Sequence, residues 1–348
     1  MKKLKDLTVL ISACGAQFMP GLVDCLKDNG ERNIKIVGVD MGNDPTVLQL
    51  VDVCYPVSKA SSKSYIDELL FICKKEKVDV IMPFMSTELL PLIERKEEFE
   101  KIGVKVSVSN KESVEITNNK YRFYEFLKEI GVKIPKFAHV TKVKDLLSAC
   151  EFCGYPNNAV CVKATESSGS RGIRIIKPNV SRFELLFNEK PNSFYTTLED
   201  LLSTLKEKES MPEMMVMEYL PGSEGSVDLL ADNGKILYMA YRESNVNLHS
   251  IPQEATLKKN EEAYKIAEKV IAELKLSGNA DLDFKNDEQG HPILMEINPR
   301  IAATMKIFKV GGLNLPYLRI KQLLGEELPE INIKYGIHMK RRYLEMFD

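Results

Sequence analysis

Apolar positions recur with two different periods along this chain, and the period changes partway. Over residues 1–110, short apolar runs alternate with amphipathic stretches. Leu7–Ser12 and Ile34–Asp40 read as buried strands. A helix is expected over 20–29, with Gly30 as its stop. Ser64 stands where it could cap a helix whose apolar residues Ile66, Leu69, Leu70 and Cys73 follow helical spacing, with Asp67 at the third position. A strand over 78–83, a helix over 88–101 and a strand over 104–108 complete an alternation of β and α elements. Such alternation implies a parallel sheet covered by helices.

Residues 111–160 read as a small helical module, with an aromatic-rich helix over 120–130 ended by Gly131 and followed by Pro135. From residue 159 the pattern turns antiparallel: a strand over 159–164, a loop over 165–172 and a return strand over 173–177. Residues 178–212 are polar and irregular, with a helix near 198–206. Met214–Glu218 is a strand running into the turn Leu220-Pro221-Gly222. Strands over 226–231 and 236–242 form a hairpin over Asp232-Asn233-Gly234. Glu261–Leu274 is amphipathic, a further hairpin follows, and helices close the chain around 315–324. The expected organisation is an α/β segment over 1–110 and two α+β segments over 111–220 and 221–348.

Composition narrows the function classes. With 348 residues, a net charge of −2 and 28% charged residues, the chain reads as a soluble globular protein. It has no global basic field to recruit nucleic acid and no apolar run long enough for a membrane span. Its N-terminus does not read as a signal peptide, so a cytoplasmic protein is expected. Seven cysteines, an odd number, point to reduced thiols. Cys150 and Cys153 form a C-x-x-C pair with Cys161 nearby, but only His139 is close, so inert thiols are expected rather than zinc. Lys340-Arg341-Arg342 reads as a surface patch.

The chemistry concentrates in the hairpin that ends Met295-Glu296-Ile297-Asn298-Pro299-Arg300. Folding it about Gln289 and Gly290 sets Asp283 opposite Glu296, and Asn298 shares that face. Two carboxylates and an amide oxygen suit Mg²⁺, which commonly takes a substrate phosphate as well. Arg300 could clamp a developing phosphate charge. The plainer alternative is an acidic, solvated hairpin. Lys163 sits inside the apolar strand Val160-Cys161-Val162-Lys163-Ala164, where a cation needs an anionic partner. Next comes Glu166-Ser167-Ser168-Gly169-Ser170-Arg171-Gly172, whose small residues let backbone N–H groups approach a phosphate. It is not a Walker loop, and its plainer reading is a flexible turn. Glu218, Tyr219 and Leu220 close a strand where backbone could read an adenine edge, and Glu224 could hold ribose hydroxyls. Glu88 is a candidate substrate contact at the strand ends of the first segment. Gly15 and Gly21 do not make the dinucleotide fingerprint, which argues against NAD.

The order Lys120, Lys163, glycine loop, Glu218, Glu224, Asp283, Glu296-x-Asn298-Pro299-Arg300 resembles the ATP-grasp superfamily over nearly the whole chain. The nearest branch is the carbamoyl-phosphate-synthetase-like proteins, and residues 1–110 look like that family's pre-ATP-grasp domain. The resemblance implies two α+β subdomains clasping ATP. It implies that Lys120, Lys163 and the loop Ser168-Gly169-Ser170-Arg171-Gly172 bind phosphates. Glu218, Tyr219 and Leu220 would meet adenine, and Glu224 the ribose. Asp283, Glu296 and Asn298 would hold one or two Mg²⁺ (or Mn²⁺) ions. Arg300, Arg242, Lys163 and Arg171 would carry catalysis, with Arg242 facing a carboxylate substrate. The implied activity is ligation of a small-molecule carboxylate to an amine or thiol through an acyl-phosphate.

Two departures stand out. Ile301-Ala302-Ala303-Thr304 replaces the family's common Ser-Gly or Gly-Gly, and the segment up to His249 lacks a second arginine, for which His249 is a candidate substitute. One copy of the unit argues against carbamoyl phosphate synthesis unless a homodimer performs both steps. Homodimers are common among similar proteins. A regulatory ATP-binding module without turnover and an NAD-linked oxidoreductase are the rival classes.

Overall fold

The computed structural model describes residues 4–42, 44–167, 169, 171–190, 193–248 and 251–347. The chain divides into two compact units. The larger comprises Met1–Glu115, Glu224–Phe284 and Ile297–Asp348, and the smaller Ile116–Ser223 and Lys285–Glu296.

The larger unit opens with a five-stranded parallel sheet in the order β3-β2-β1-β4-β5. Its strands are β1 (Leu7–Ser12), β2 (Ile34–Asp40), β3 (Val53–Pro56), β4 (Val80–Met82) and β5 (Lys105–Val106). Consecutive residues Val9, Leu10 and Ile11 have no solvent exposure, which is why β1 reads as an unbroken apolar run: helices cover both its faces. The edge strand β3 is only half-buried and carries no such run, so the sequence pattern misses it. Two further expectations change. Ser64 precedes the helix Tyr65–Glu76 but makes no cap; its hydroxyl meets Ser58 Oγ at 3.0 Å. The helix expected over 88–101 is two helices, Ser86–Glu94 and Lys96–Lys101, with Pro91 inside the first and Arg95 breaking the run.

The same unit packs its C-terminal segment onto this sheet. Ile301, Met305, Tyr317 and Ile320 share one core with Val9, Ile11 and Leu22. Buried Arg32 donates to Tyr317 Oη at 2.9 Å and pairs with Glu326, fixing the helix Leu315–Leu323 in place.

A six-stranded sheet follows the order β15-β14-β11-β12-β13-β16. It contains β11 (Glu224–Asp232), β12 (Lys235–Leu248), β13 (Ile251–Lys258), β14 (Gly278–Asn286), β15 (Pro292–Asn298) and β16 (His338–Lys340). The unit boundary runs through β14 and β15, leaving Asp283 and Asn298 in the larger unit and Glu296 in the smaller. Sequence pattern misses β13 because Pro252 interrupts it; the pairing with β12 shifts register nearby, where a proline is tolerated. It also misses β16. Of the expected surface patch, Lys340 and Arg342 are exposed, while Arg341 between them is half-buried. Its Nε donates to Pro252 O and its Nη2 to Ala303 O, both at 2.9 Å.

The smaller unit is built on β6 (Phe137–Val140), β7 (Val160–Ala164), β8 (Arg174–Ile176), β9 (Tyr195–Thr196) and β10 (Met214–Glu218), in the order β6-β10-β7-β8-β9. Val160, Val162, Met214 and Val216 point one way into its core. Strand alternation therefore turns Lys163 and Met215, which face each other across β7 and β10, toward the opposite side.

Candidate functional site

In the smaller unit, two lysines gather below the glycine loop. Asn119 caps the helix Lys120–Glu129 by accepting from Arg122 N at 3.0 Å. Its amide donates to Glu166 at 2.9 Å, and Lys120 N donates to Thr165 O at 2.9 Å. The helix start is thereby tied to the loop. Lys120 Nζ donates to Ser167 O at 3.0 Å and lies 3.9 Å from Glu296. Burial holds the Lys120 ammonium below its ordinary range; Glu296 opposes that shift and the charge of Lys163 adds to it. Lys163 is 9% exposed, and its ammonium has no hydrogen bond or ion pair among the described residues. Of these two neighbouring cations only Lys120 has a carboxylate near it, so this region holds an unbalanced positive charge.

The loop that follows Lys163 needs its glycines. Gly172 has φ +71°, and a Cβ there would fall 2.9 Å from Ala164 Cβ, so another side chain would force the loop off the strand. Gly169 also has positive φ, and Arg171 is exposed. Ser168 and Ser170 lie outside the described residues, as does His249.

At the end of β10, Glu218 is held by backbone. Its N–H donates to Lys136 O at 3.0 Å, and its carboxylate accepts from Lys136 N at 2.8 Å. Tyr219 N is spent on Ala159 O at 3.3 Å, and Lys285 sits 5.0 Å above the Tyr219 ring. Leu220 is half-buried, and its N–H makes no backbone hydrogen bond among the described residues.

In the larger unit, Asp283 accepts from Ser226 Oγ at 2.5 Å and from Asn298 Nδ2 at 3.4 Å. Asn298 Oδ1 accepts from Arg300 Nη2 at 3.1 Å, and Arg300 Nη1 donates to Ile301 O at 2.9 Å. The guanidinium also lies 5.6 Å over the Phe84 ring. Asp283, Asn298 and Arg300 thus form one connected run. Glu224, at the start of β11, is paired in register with Ser244.

Arg242 lies in the same unit's interior, within electrostatic reach of Asp283. It is 3% exposed, 3.3 Å from Asp228 and 3.5 Å from Asp281, and it donates to Ser244 Oγ at 3.0 Å. The cation expected to face a carboxylate substrate lies between two buried carboxylates. Asp228 and Asp281 were not singled out by sequence. The signal was available: Asp228 interrupts an apolar strand, as Lys163 does. Burial pushes the Asp228 carboxyl up to about 7; Arg242 opposes this and the charge of Asp283 adds to it.

Glu88 is likewise interior. It accepts from Ser12 Oγ at 2.5 Å, Tyr65 Oη at 2.9 Å and Met85 N at 3.1 Å, closing the start of the helix Ser86–Glu94. All seven cysteines are free, and Cys150 and Cys153 are buried.

No group of three or more His, Cys, Asp or Glu residues arranged for a metal occurs among the described residues. The donor chemistry of Asp283 and Asn298 nevertheless fits a hard cation: anionic and amide oxygens on adjacent strands, with a raised Asp228 nearby whose charged form a cation would favour. No helix among the described residues is long and apolar enough to cross a membrane.

Comparison with known proteins follows this geometry. Residues 210–342 match the family model described as ATP-grasp in the biosynthetic pathway with Ter operon. Residues 9–107 match the PylC-like N-terminal domain. The carbamoyl phosphate synthase large chain of Clostridium acetobutylicum is 25% identical over 292 residues, covering 80% of this chain and 25% of that protein. The chain therefore spans about a quarter of the length of the curated relatives it matches. Among solved structures, N5-carboxyaminoimidazole synthetase from Staphylococcus aureus is 17% identical with a TM-score of 0.69, covering 97% of this chain and 83% of that one. The biotin carboxylase domain of Hydrogenobacter thermophilus 2-oxoglutarate carboxylase, solved with MgADP, ADP and bicarbonate, is 17% identical with a TM-score of 0.70, covering 95% and 73%.

Proposed function

We propose that this chain, whose residues 210–342 match an ATP-grasp family model and 9–107 a PylC-like N-terminal domain, is an ATP-dependent carboxylate–amine (or thiol) ligase of the ATP-grasp superfamily. The reaction runs through an acyl-phosphate and releases ADP and phosphate. The observation that carries this reading is Lys163, a buried strand cation without an anionic partner among the described residues, beside desolvated Lys120 and under a loop that requires glycine. A polyphosphate supplies the missing negative charge.

In this reading Lys120 and Lys163 bind the nucleotide's phosphates. The loop with Ser168, Gly169, Ser170, Arg171 and Gly172 closes over them and keeps water from the acyl-phosphate. Leu220 N, with no backbone partner among the described residues, reads the adenine edge beside Glu218 and Tyr219, and Glu224 takes ribose hydroxyls. Asp283, Glu296 and Asn298 would hold one or two Mg²⁺ ions, which neutralise phosphate charge when bound. Arg300, anchored through Asn298 and Ile301, stabilises charge on the transferred phosphoryl group. Arg242 acts as a positioning residue: it holds Asp228 and Asp281 in the sheet that presents Asp283. The substrate carboxylate attacks the γ-phosphate, the acyl-phosphate forms, and an amine displaces phosphate. No side-chain nucleophile takes part. Free thiols throughout the chain support work in a reducing cytoplasm.

The test is product analysis. Protein is incubated with Mg²⁺-ATP, pooled carboxylic acids and pooled amines, beside a Glu296→Gln control. ADP and phosphate are expected only with a matching acid. Hydroxylamine in place of the amine should then trap the acyl-phosphate as a hydroxamate. AMP as the product would overturn the mechanism.

A further inference from the structure

The larger unit holds an open cleft of about 460 Å³ whose lining includes none of Asp283, Asn298, Arg300 or Arg242. That is the size of a small-molecule pocket. Its lining comes from Lys105 beside the parallel sheet, Asp232 at the β11–β12 turn, and Arg319 and Gln322 on the helix Leu315–Leu323, among others.

Arg319 is the unusual member. It is only 5% exposed, yet all its partners are neutral. Its Nε donates to Ser107 Oγ at 3.1 Å, Nη1 to Gln322 Oε1 at 2.7 Å and Nη2 to Val108 O at 3.3 Å. No ion pair compensates it among the described residues. A guanidinium has five N–H donors, so two remain after these three bonds. One face is pressed against backbone: a Cβ on Gly278 would lie 3.0 Å from Arg319 Cζ. Burial lowers the Arg319 guanidinium to about 10, with Asp232 giving only partial relief. At the rim, Lys105 is exposed and also lacks an ion-pair partner among the described residues. The other lining cation, Lys96, is paired with Glu100 at 3.5 Å. With Glu100, the other lining carboxylate, committed to Lys96, Asp232 alone stands against the two cations Arg319 and Lys105.

We propose that this cleft binds a small oxyanion, a phosphate monoester or a carboxylate, gripped by Arg319 at its base and Lys105 at its rim. A buried cation with neutral partners is costly, and a planar fork with spare donors is matched to a carboxylate or phosphate edge. The site is distinct in its residues from the phosphate-binding lysines Lys120 and Lys163.

Calorimetric titration of the full chain with inorganic phosphate, and separately with succinate, tests the proposal. A Lys163→Gln background removes the competing phosphate site. Saturable binding of phosphate or succinate should persist in that background, and whichever binds more tightly identifies the ligand class. Lys105→Glu should weaken it by about tenfold with an unchanged thermal midpoint, since it alters only an exposed side chain. Arg319→Lys, which keeps the charge but loses the fork, should weaken it as well. Absence of saturable binding by both probes, loss of binding in Lys163→Gln alone, or binding indifferent to Lys105→Glu would each overturn the assignment.

Discussion

Lys163 and Arg242 pose the same problem and receive opposite solutions. Each is a cation in the interior of a strand, 9% and 3% exposed. Arg242 has Asp228 and Asp281 within 3.5 Å. Lys163 has no such partner among the described residues, and it lies within electrostatic reach of a second cation, Lys120. A buried charge with its counter-charge built in belongs to the architecture. One without it is set to receive its partner from outside. The distinction separates a residue that positions from a residue that binds, and residue type alone does not reveal it.

The comparison can be broken most sharply at Arg242. Arg242→Met leaves Asp228 and Asp281 facing each other in the interior, and should cost about 3–5 kcal/mol of stability in urea unfolding. Adding Asp228→Asn should recover part of that loss, because the raised carboxyl is the group left most exposed to repulsion. A loss under about 1 kcal/mol would mean that the buried ion pair is not structural.

Lys163→Met should do the reverse. Removing a desolvated, unpaired cation is expected to leave the thermal midpoint unchanged or higher, while ATP turnover falls by about 10²–10³-fold. A fall in midpoint without a fall in turnover would turn the comparison on its head.

Sequence made some of this legible and hid the rest for a physical reason. β1, β2 and β10 declare themselves as nearly continuous buried apolar runs, and the helix Glu261–Leu274 by its helical period of buried residues. Lys163 and the Glu296-to-Arg300 run stand out because polar residues interrupt apolar strands. β3, β9 and β16 are short or partly exposed and carry no periodic signal, and β13 is masked by Pro252. The counter-charges of Arg242 are hidden in sequence because they lie 14 and 39 residues away, on separate strands. Counter-charges brought together by a sheet are invisible until its strand order is known.

A smaller effect sharpens the binding half of the comparison. MgADP at one hundred times its dissociation constant should stabilise the protein by about 2.7 kcal/mol. Lys163→Met should abolish the shift, and Glu296→Gln should reduce it chiefly when Mg²⁺ is present. An undiminished shift in Lys163→Met, followed by thermal denaturation with and without MgADP, would place the nucleotide phosphates elsewhere.

The smallest expected effect concerns Glu88, a buried anion whose partners are hydrogen-bond donors rather than a cation. Burial raises its carboxyl above the ordinary 4.5, with Ser12, Met85 and Tyr65 opposing the shift. A carboxyl raised on folding binds its proton more tightly in the native state. Its contribution is therefore complete below pH 4.5 and is lost as pH rises through the folded value. Glu88→Gln cannot titrate: its amide oxygen can still accept from Ser12 and Met85 N, and its NH₂ can donate to Tyr65 Oη. At low pH the variant should be less stable than the parent by about 1 kcal/mol, the scale of one imperfect hydrogen bond. That gap should close as pH rises toward neutrality, because only the parent must ionise a buried group. Urea unfolding at several pH values measures the gap directly. A gap that widens with pH would mean that the three donors stabilise the carboxylate more than burial penalises it, and that an interior anion here, unlike the cation at Lys163, is satisfied by hydrogen bonds alone.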